Sequence, residues 1–360
     1  MQSIKFPREK IKKILVIKMR YIGDTVLVTP LLRALKTAMP AAETFLLLNK
    51  EAAPVITGHP HINRLLSFDD QRAKKDLAYF IQFVLQIRKL KLDMVIDLTQ
   101  NDRSALFTFF TGAAYRIGFD GASAFQRRAY THRVPYLFGK IHTVDHHLMM
   151  AKHLGLPPVD SNPDLPVFPE DIQWVRNRLA SAGVENSLPY VLIHPGARRW
   201  YKSWPIDRFS QLADRIYQRY RVQVVLSGGP SDRETCEKIA SKTTRRIFDL
   251  SGQIPLAQLP ALIQKSVLLI GNDSAPIHIA TAVNTPVIAL FGPTRWEDWH
   301  PRRDHDKTLS VSFPCRPCGH SNPDCPMGDA YCMSEISTTS VWTAVQERLL
   351  ASGVDSHHAV

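Results

Sequence analysis

The chain has 360 residues, 44% of them hydrophobic and 22% charged, a composition that folds around a core rather than staying disordered. At about 150 residues per domain the length points to two domains. Lys and Arg outnumber Asp and Glu by 45 to 33, and the net charge of +12 implies an anionic partner: nucleic acid, a membrane surface or a phosphorylated substrate. No apolar run reaches the ~18 residues of a membrane helix. The first apolar stretch, inside KILVIK, is shorter than the ~7 residues a secretory signal needs, so a cytoplasmic chain is expected.

In chain order, Lys13 to Lys18 reads as a buried strand ending at the Gly23-Asp24 turn. Leu27, Leu31, Leu35 and Ala38 then keep helical spacing, with Pro30 expected to kink or delay the helix. Thr44 to Leu48 is strand-like and a short polar helical region follows. Lys74 to Leu92 is helical, and DMVIDL (Asp93 to Leu98) is a buried strand. A stretch rich in Pro, Asn and Ser between Pro157 and Pro189, with one helix from Glu170 to Ala182, reads as a linker. The alternation restarts with Tyr190 to His194, a periodic helix from Phe209 to Tyr220, Val222 to Leu226, Leu268 to Gly271, a helix from Pro276 and Val287 to Phe291. A last helix spans about 340–350. Strands alternating with helices predict parallel α/β sheets, and in such sheets ligands bind beyond the C-terminal strand ends.

Three segments carry chemistry. In GNDSAPIHIATAVNTPVIALFGPT (271–294) a strand leads through Asp273 and Ser274 into a helix with Pro276 in its first turn. Asp273 and Ser274 read either as helix caps or as part of an anion site at the helix N-terminus, with Ala275 and His278 beside it. In HPGARRWYKSWPIDRF (194–209) Lys202 stands before a helix, where an ammonium can neutralise a phosphate or simply be solvated; Arg198 and Arg199 have the same two readings. In KMRYIGDTVLVTP (18–30) Asp24 is either an N-cap or a general base, and Lys18 and Arg20 either hold an acceptor phosphate or neutralise that carboxylate. The chain has neither G-x-G-x-x-G nor a Walker A loop, which argues against a dehydrogenase or P-loop NTPase.

With SGGPSDRE (227–234), DLSGQIPLAQLPALI (249–263) and YRIGF (115–119), these segments resemble glycosyltransferase family 9, the ADP-heptose lipopolysaccharide heptosyltransferases, over about residues 13–350. The KxRxxGD start and the cysteine-rich tail are most similar to the heptosyltransferase III type, which adds the branching third heptose. The resemblance implies a GT-B fold, two Rossmann-like parallel α/β domains facing a cleft. It divides the chain into an acceptor-binding domain with linker (1–185), a nucleotide-sugar donor domain (186–338) and a C-terminal helix crossing back with a tail (339–360).

It further implies an inverting, metal-independent transfer with no cofactor. Asp24 matches the catalytic base, Lys202 the phosphate-binding lysine, and Asp273, Ser274, Ala275 and His278 the donor-binding turn, where relatives often carry Thr-Gly for Ser274-Ala275. Glu234 or Asp232 matches the acidic residue that contacts the ribose, and Lys18 and Arg20 lie on the acceptor side. The implied partners are ADP-heptose, the lipopolysaccharide inner core and the cytoplasmic face of the inner membrane, where basic residues before Tyr21 hold the enzyme peripherally at about 1 kcal/mol per charge. Competing readings are a family member with another nucleotide sugar or a protein acceptor and, from a different class, a nucleic-acid-binding protein. The latter lacks a reader module or aromatic-basic interleaving, so no nucleic acid is expected.

Cys315, Cys318, Cys325 and Cys332 begin as C-x₂-C with His320 nearby, half a zinc pattern with unusual onward spacing. Free or loosely associated thiols are expected ahead of zinc, and zinc ahead of disulfides. Cys236 reads as a packing residue. His142, His146 and His147 lack an H-E-x-x-H pattern and read as a half-exposed helix. Phe107, Phe109 and Phe110 read as core or as an acceptor-side apolar surface.

Overall fold

The structure, a computed structural model, describes residues 4–121, 123–318, 325 and 331–354. Two compact units divide it, the first ending at Pro166 and the second starting at Val167, a boundary inside the Pro-rich stretch read as a linker.

The first unit runs β1 (Lys13–Lys18), α1 (Ile22–Val26), α2 (Thr29–Ala38), β2 (Glu43–Asn49), α3 (Ala53–Ile56), β3 (Arg64–Phe68), α4 (Asp70–Ala73) and α5 (Leu77–Lys89). It continues through β4 (Met94–Asp97), α6 (Asp102–Thr111), β5 (Tyr115–Phe119), α7 (Ala124–Ala129), β6 (His132–Val134) and α8 (Thr143–His153). All six strands are parallel, in the order β3-β2-β1-β4-β5-β6. A parallel sheet is covered on both faces, which is why Ile14 to Ile17 can be apolar without alternation and all are buried. Pro30 delays the helix as expected: α1 stops at Val26 and α2 restarts with Pro30 in its first turn, where a missing N–H costs nothing. On one side of the sheet Phe68, Phe83 and Phe107 pack ring to ring beneath α5 and α6.

The second unit runs α9 (Pro169–Ser181), β7 (Tyr190–His194), α10 (Ile206–Tyr220), β8 (Gln223–Leu226), α11 (Arg233–Lys242), β9 (Phe248–Asp249), α12 (Leu259–Lys265) and β10 (Leu268–Asn272). It ends with α13 (Ala275–Ala282), β11 (Val287–Phe291), β12 (Lys307–Ser310), α14 (Tyr331–Ser334) and α15 (Thr338–Ala351). Its parallel order, β12-β11-β10-β7-β8-β9, is the order of the first unit read from the other edge. The apolar stripe of α10, Phe209, Leu212, Ala213 and Ile216, is wholly buried. Val341, Val345 and Leu349 of α15 join the same core, and α9 is tied to α12 by Gln258 Nε2 donating to Asp171. Among the described residues no helix is long and apolar enough to cross a membrane.

Each sheet reverses its strand order once, between β1 and β4 in the first unit and between β7 and β10 in the second. Loops leaving two strands in opposite directions open a crevice at such a point, so these are the two places where ligand chemistry is expected.

Candidate active site

In the first unit the loop after β1 carries Asp24 into the first turn of α1. Asp24 is not an N-cap, a position held by Tyr21; its Oδ1 instead lies 3.2 Å from the ammonium of Lys18, the last residue of β1. The Lys18 side chain is 6% exposed and that of Asp24 14%, so the lysine is the buried member. This geometry favours the neutralising reading of Lys18 over direct contact with a phosphate. Arg20 donates to the Thr99 carbonyl at 3.2 Å, and Met19 N donates to Thr99 Oγ1 at 2.7 Å, which ties the β1 loop to the β4 loop.

Two residues that sequence reasoning did not place here complete the group. His147 lies 3.1 Å from Lys18 Nζ through Nε2, while its Nδ1 meets the Leu27 carbonyl at 3.0 Å. A carbonyl only accepts, so Nδ1 carries the proton and Nε2 offers a lone pair to the ammonium. Burial and the Lys18 charge hold the imidazole well below its ordinary pKa, consistent with the neutral tautomer. Burial also pulls the Lys18 ammonium below the usual lysine range, and Asp24 opposes that shift. The second residue is Asp97, fully buried at the end of β4, which accepts from Thr99 N at 2.8 Å and from the Tyr130 hydroxyl at 2.8 Å. Burial raises its pKa against those hydrogen bonds.

The expected half-exposed face of His142, His146 and His147 is therefore corrected: all three are buried, because α8 packs against α2 and the sheet. His146 stacks on Phe119 at 3.8 Å and is pushed down to about 4 by burial and the Lys18 charge. A pattern of polar residues hid this, since histidine carries an apolar body that packs when one nitrogen is satisfied.

In the second unit Lys202 Nζ donates to Asp273 Oδ2 at 2.6 Å, joining the β7 and β10 loops across the switch point. Here the exposures are reversed, 18% for the lysine and 9% for the carboxylate. Asn272 braces the same loops, donating to the Pro195 carbonyl at 2.7 Å and accepting from Trp204 N at 3.1 Å. Neither Asp273 nor Ser274 caps α13 with its side chain: Asp273 turns to Lys202, and Ser274 Oγ donates to the Asn272 carbonyl at 3.2 Å. Ala275 opens the helix and His278, buried, lies near the Trp299 ring. At Gly271 the backbones approach closely: a Cβ there would stand 3.2 Å from the His194 carbonyl oxygen.

Glu234 is not brought to this group. It lies in the first turn of α11 with a 79% exposed side chain and pairs with Lys238 at 2.6 Å. Asp232 accepts from Gly229 N at 2.8 Å and lies directly over Gly196 and Gly228, where a Cβ would meet it at 2.5 and 2.6 Å. His194 beneath, 3.1 Å from Ser227 Oγ, is pushed down to about 4 by burial.

The cysteines at 236, 315, 318, 325 and 332 are free, and Cys236 is buried in the α10 and α11 core as expected. The Cys318 thiol is raised by burial and by neighbouring Cys315 and Cys325. His320 lies outside the described residues, among which no group of three ligands is arranged for a metal.

Two doubly wound parallel units, each with a lysine–aspartate pair at its switch point, are the architecture of the GT-B class. A model of glycosyltransferase family 9 (heptosyltransferase) matches residues 81–327, more than half of the sequence. Lipopolysaccharide heptosyltransferase 3 of Escherichia coli is 34% identical over 291 residues, 79% of this chain and 84% of that protein. The glycosyl transferase family 9 structure from Veillonella parvula DSM 2008 aligns with a TM-score of 0.83 at 24% identity, covering 94% of this chain and 97% of that one. The E. coli ADP-heptose LPS heptosyltransferase II structure gives 0.77 at 22%, covering 95% and 99%. The chain belongs to glycosyltransferase family 9, the heptosyltransferases.

Proposed function

We propose that the protein transfers a heptose from ADP-heptose to the lipopolysaccharide inner core with inversion, the third, branching heptose being the product. The observation that carries this reading is the pair of oppositely disposed ion pairs, Lys18–Asp24 and Lys202–Asp273. The acceptor oxygen attacks the anomeric carbon, its proton passes to the Asp24 carboxylate, the bond from that carbon to the diphosphate oxygen breaks, and ADP leaves. Lys202, His278 and the N-terminal amides of α13 take the charge that grows on the leaving diphosphate, so the reaction proceeds without a metal ion or cofactor. Asp273 orients Lys202, and Ser274 and Ala275 let the phosphates approach the helix start. The ribose contact falls to Glu234 or to Asp232, and Arg20 faces the acceptor. Similarity to a heptosyltransferase 3 and to an ADP-heptose enzyme supports this choice of donor and acceptor. The enzyme works peripherally at the cytoplasmic face of the inner membrane.

The test is a panel of nucleotide sugars with purified inner-core acceptors that lack the third heptose, assayed with and without EDTA. The proposal requires one heptose added from ADP-heptose, anomeric inversion and EDTA-insensitive turnover. Preference for another sugar, a retained configuration or loss of activity on chelation contradicts the corresponding part.

A further inference from the structure

Helix α5 is apolar on two sides. Phe83 and Ile87 face the core, but Leu77, Ile81 and Leu85, spaced four residues apart, form a row on the outer surface, each at least 50% exposed. At the end of that row Phe109 and Phe110 of α6, also exposed, stand edge to face at 5.5 Å. Between the two helices lies a pocket of about 410 Å³ lined by Leu85, Arg88, Phe109, Phe110, Gly112 and Arg116.

The two guanidiniums are built into that pocket. Helix α6 ends at Gly112 with φ 64°, and the Arg88 guanidinium lies over this glycine so closely that a Cβ would fall 1.5 Å from Nη1. Arg116 is fixed by hydrogen bonds from Nε to the Ala129 carbonyl at 2.8 Å and from Nη1 to the Ala113 carbonyl at 2.7 Å. Among the described residues neither arginine pairs with a carboxylate. Residues 77–92 and 103–119 contain no Asp or Glu, while Lys89 and Lys91 add charge at the end of α5. Lys12 and Lys13 are held beside them, because both backbone amides donate to Asp93.

We infer that this α5/α6 face is the surface on which the enzyme docks on an anionic phospholipid bilayer, with acyl chains against the Leu77, Ile81, Leu85 and Phe109–Phe110 row and lipid phosphates on Arg88 and Arg116. The inference rests on the peripheral-membrane part of the proposed function and names the surface that performs it. Charge complementarity selects the occupant: an apolar row whose Phe109–Phe110 end carries two guanidiniums that pair with no carboxylate among the described residues suits the boundary between acyl chains and anionic headgroups.

The test is co-sedimentation of the full chain with vesicles of phosphatidylethanolamine and phosphatidylglycerol at 3:1, or of phosphatidylcholine alone. Wild type should bind the anionic vesicles and leave the neutral ones largely free. Combined Leu85→Ser, Phe109→Ser and Phe110→Ser should lower partitioning about 10-fold or more, the loss expected from three apolar side chains that no longer enter the interface. Arg88→Gln should lower it about fivefold, the equivalent of one basic contact. Leu188→Ser, an exposed leucine of the second unit, should change nothing, and ADP affinity should be unaltered in every variant. Equal binding by wild type and triple variant, or no preference for anionic vesicles, overturns the inference. So does a dimer in sedimentation velocity that the triple variant dissolves while vesicle binding persists, since the face then belongs to a second copy. Docking needs neither sugar donor nor acceptor, so a chain that docks but fails to transfer heptose contradicts the proposed function alone.

Discussion

Both units end a central strand in a lysine–aspartate pair, yet the two pairs point opposite partners toward solvent. In Lys18–Asp24 the lysine is the more deeply buried member, whereas in Lys202–Asp273 the carboxylate is. In the proposed mechanism the same ion pair serves as a proton acceptor in one unit and an anion receptor in the other. In that proposal burial decides which charge supports and which is presented to a ligand.

The largest expected effect falls on the open carboxylate. Asp24→Ala should lose about 10²- to 10⁴-fold in turnover, the usual contribution of a positioned base, while ADP binding persists. Near-normal turnover would reduce Asp24 to a partner for Lys18. Next, Lys202→Ala should weaken ADP binding by about 10- to 150-fold, as expected for one charge-assisted contact, and kcat should fall as well because leaving-group charge grows in the transition state. Lys202→Arg should recover only part, since a planar fork does not fit a point-charge position. Unchanged ADP affinity and kcat in Lys202→Ala would make the open ammonium ordinary surface charge.

Removing the support should hurt less than removing the presented group. His147→Ala deprives the buried Lys18 ammonium of an acceptor, an expected stability cost of about 1–3 kcal/mol by denaturant titration, with ADP affinity unchanged. The buried histidines also set a pH dependence. His146 and His194 have folded pKa values of about 4, below the ordinary 6.5, so the unfolded chain binds protons that the folded chain refuses. Stability should be fully present above pH 6.5 and decline toward pH 4, by up to about 1.4 kcal/mol per pH unit for each group. His146→Phe, which can keep the stack on Phe119, should flatten part of that decline; an unaltered profile would show that His146 already titrates freely. The smallest effect is expected at Glu234, where Ala should weaken ADP binding only about 3- to 10-fold, the worth of one exposed hydrogen bond. No change there, together with a loss in Asp232→Ala, would assign the ribose contact to Asp232.

Much of the fold was legible because buried parallel strands such as ILVI and VIALF are continuous apolar runs, and their turns are marked by Gly and Pro. The placement of Asp24, Lys202 and Asp273 was legible for a related reason: each lies in the connection that leaves such a run. The sheet order was not legible, since it depends on pairing between distant segments, and with it was lost the coincidence of both ion pairs with the switch points. Asp97 gave a signal that went unused, a carboxylate closing the strand DMVIDL. His147 gave little, because whether a histidine row is packed or solvated depends on which helix lies over it. Glu234 and Asp232 were indistinguishable by spacing; their surroundings differ, Asp232 lying over Gly196 and Gly228 and Glu234 pairing with Lys238.

The division of labour between the two pairs is tested most directly by calorimetric titration of ADP into Asp24→Ala and Lys202→Ala side by side. The account predicts a wild-type dissociation constant for Asp24→Ala and a constant weakened at least about 10-fold for Lys202→Ala. Equal constants in the two variants, or weaker binding in Asp24→Ala than in Lys202→Ala, would contradict it.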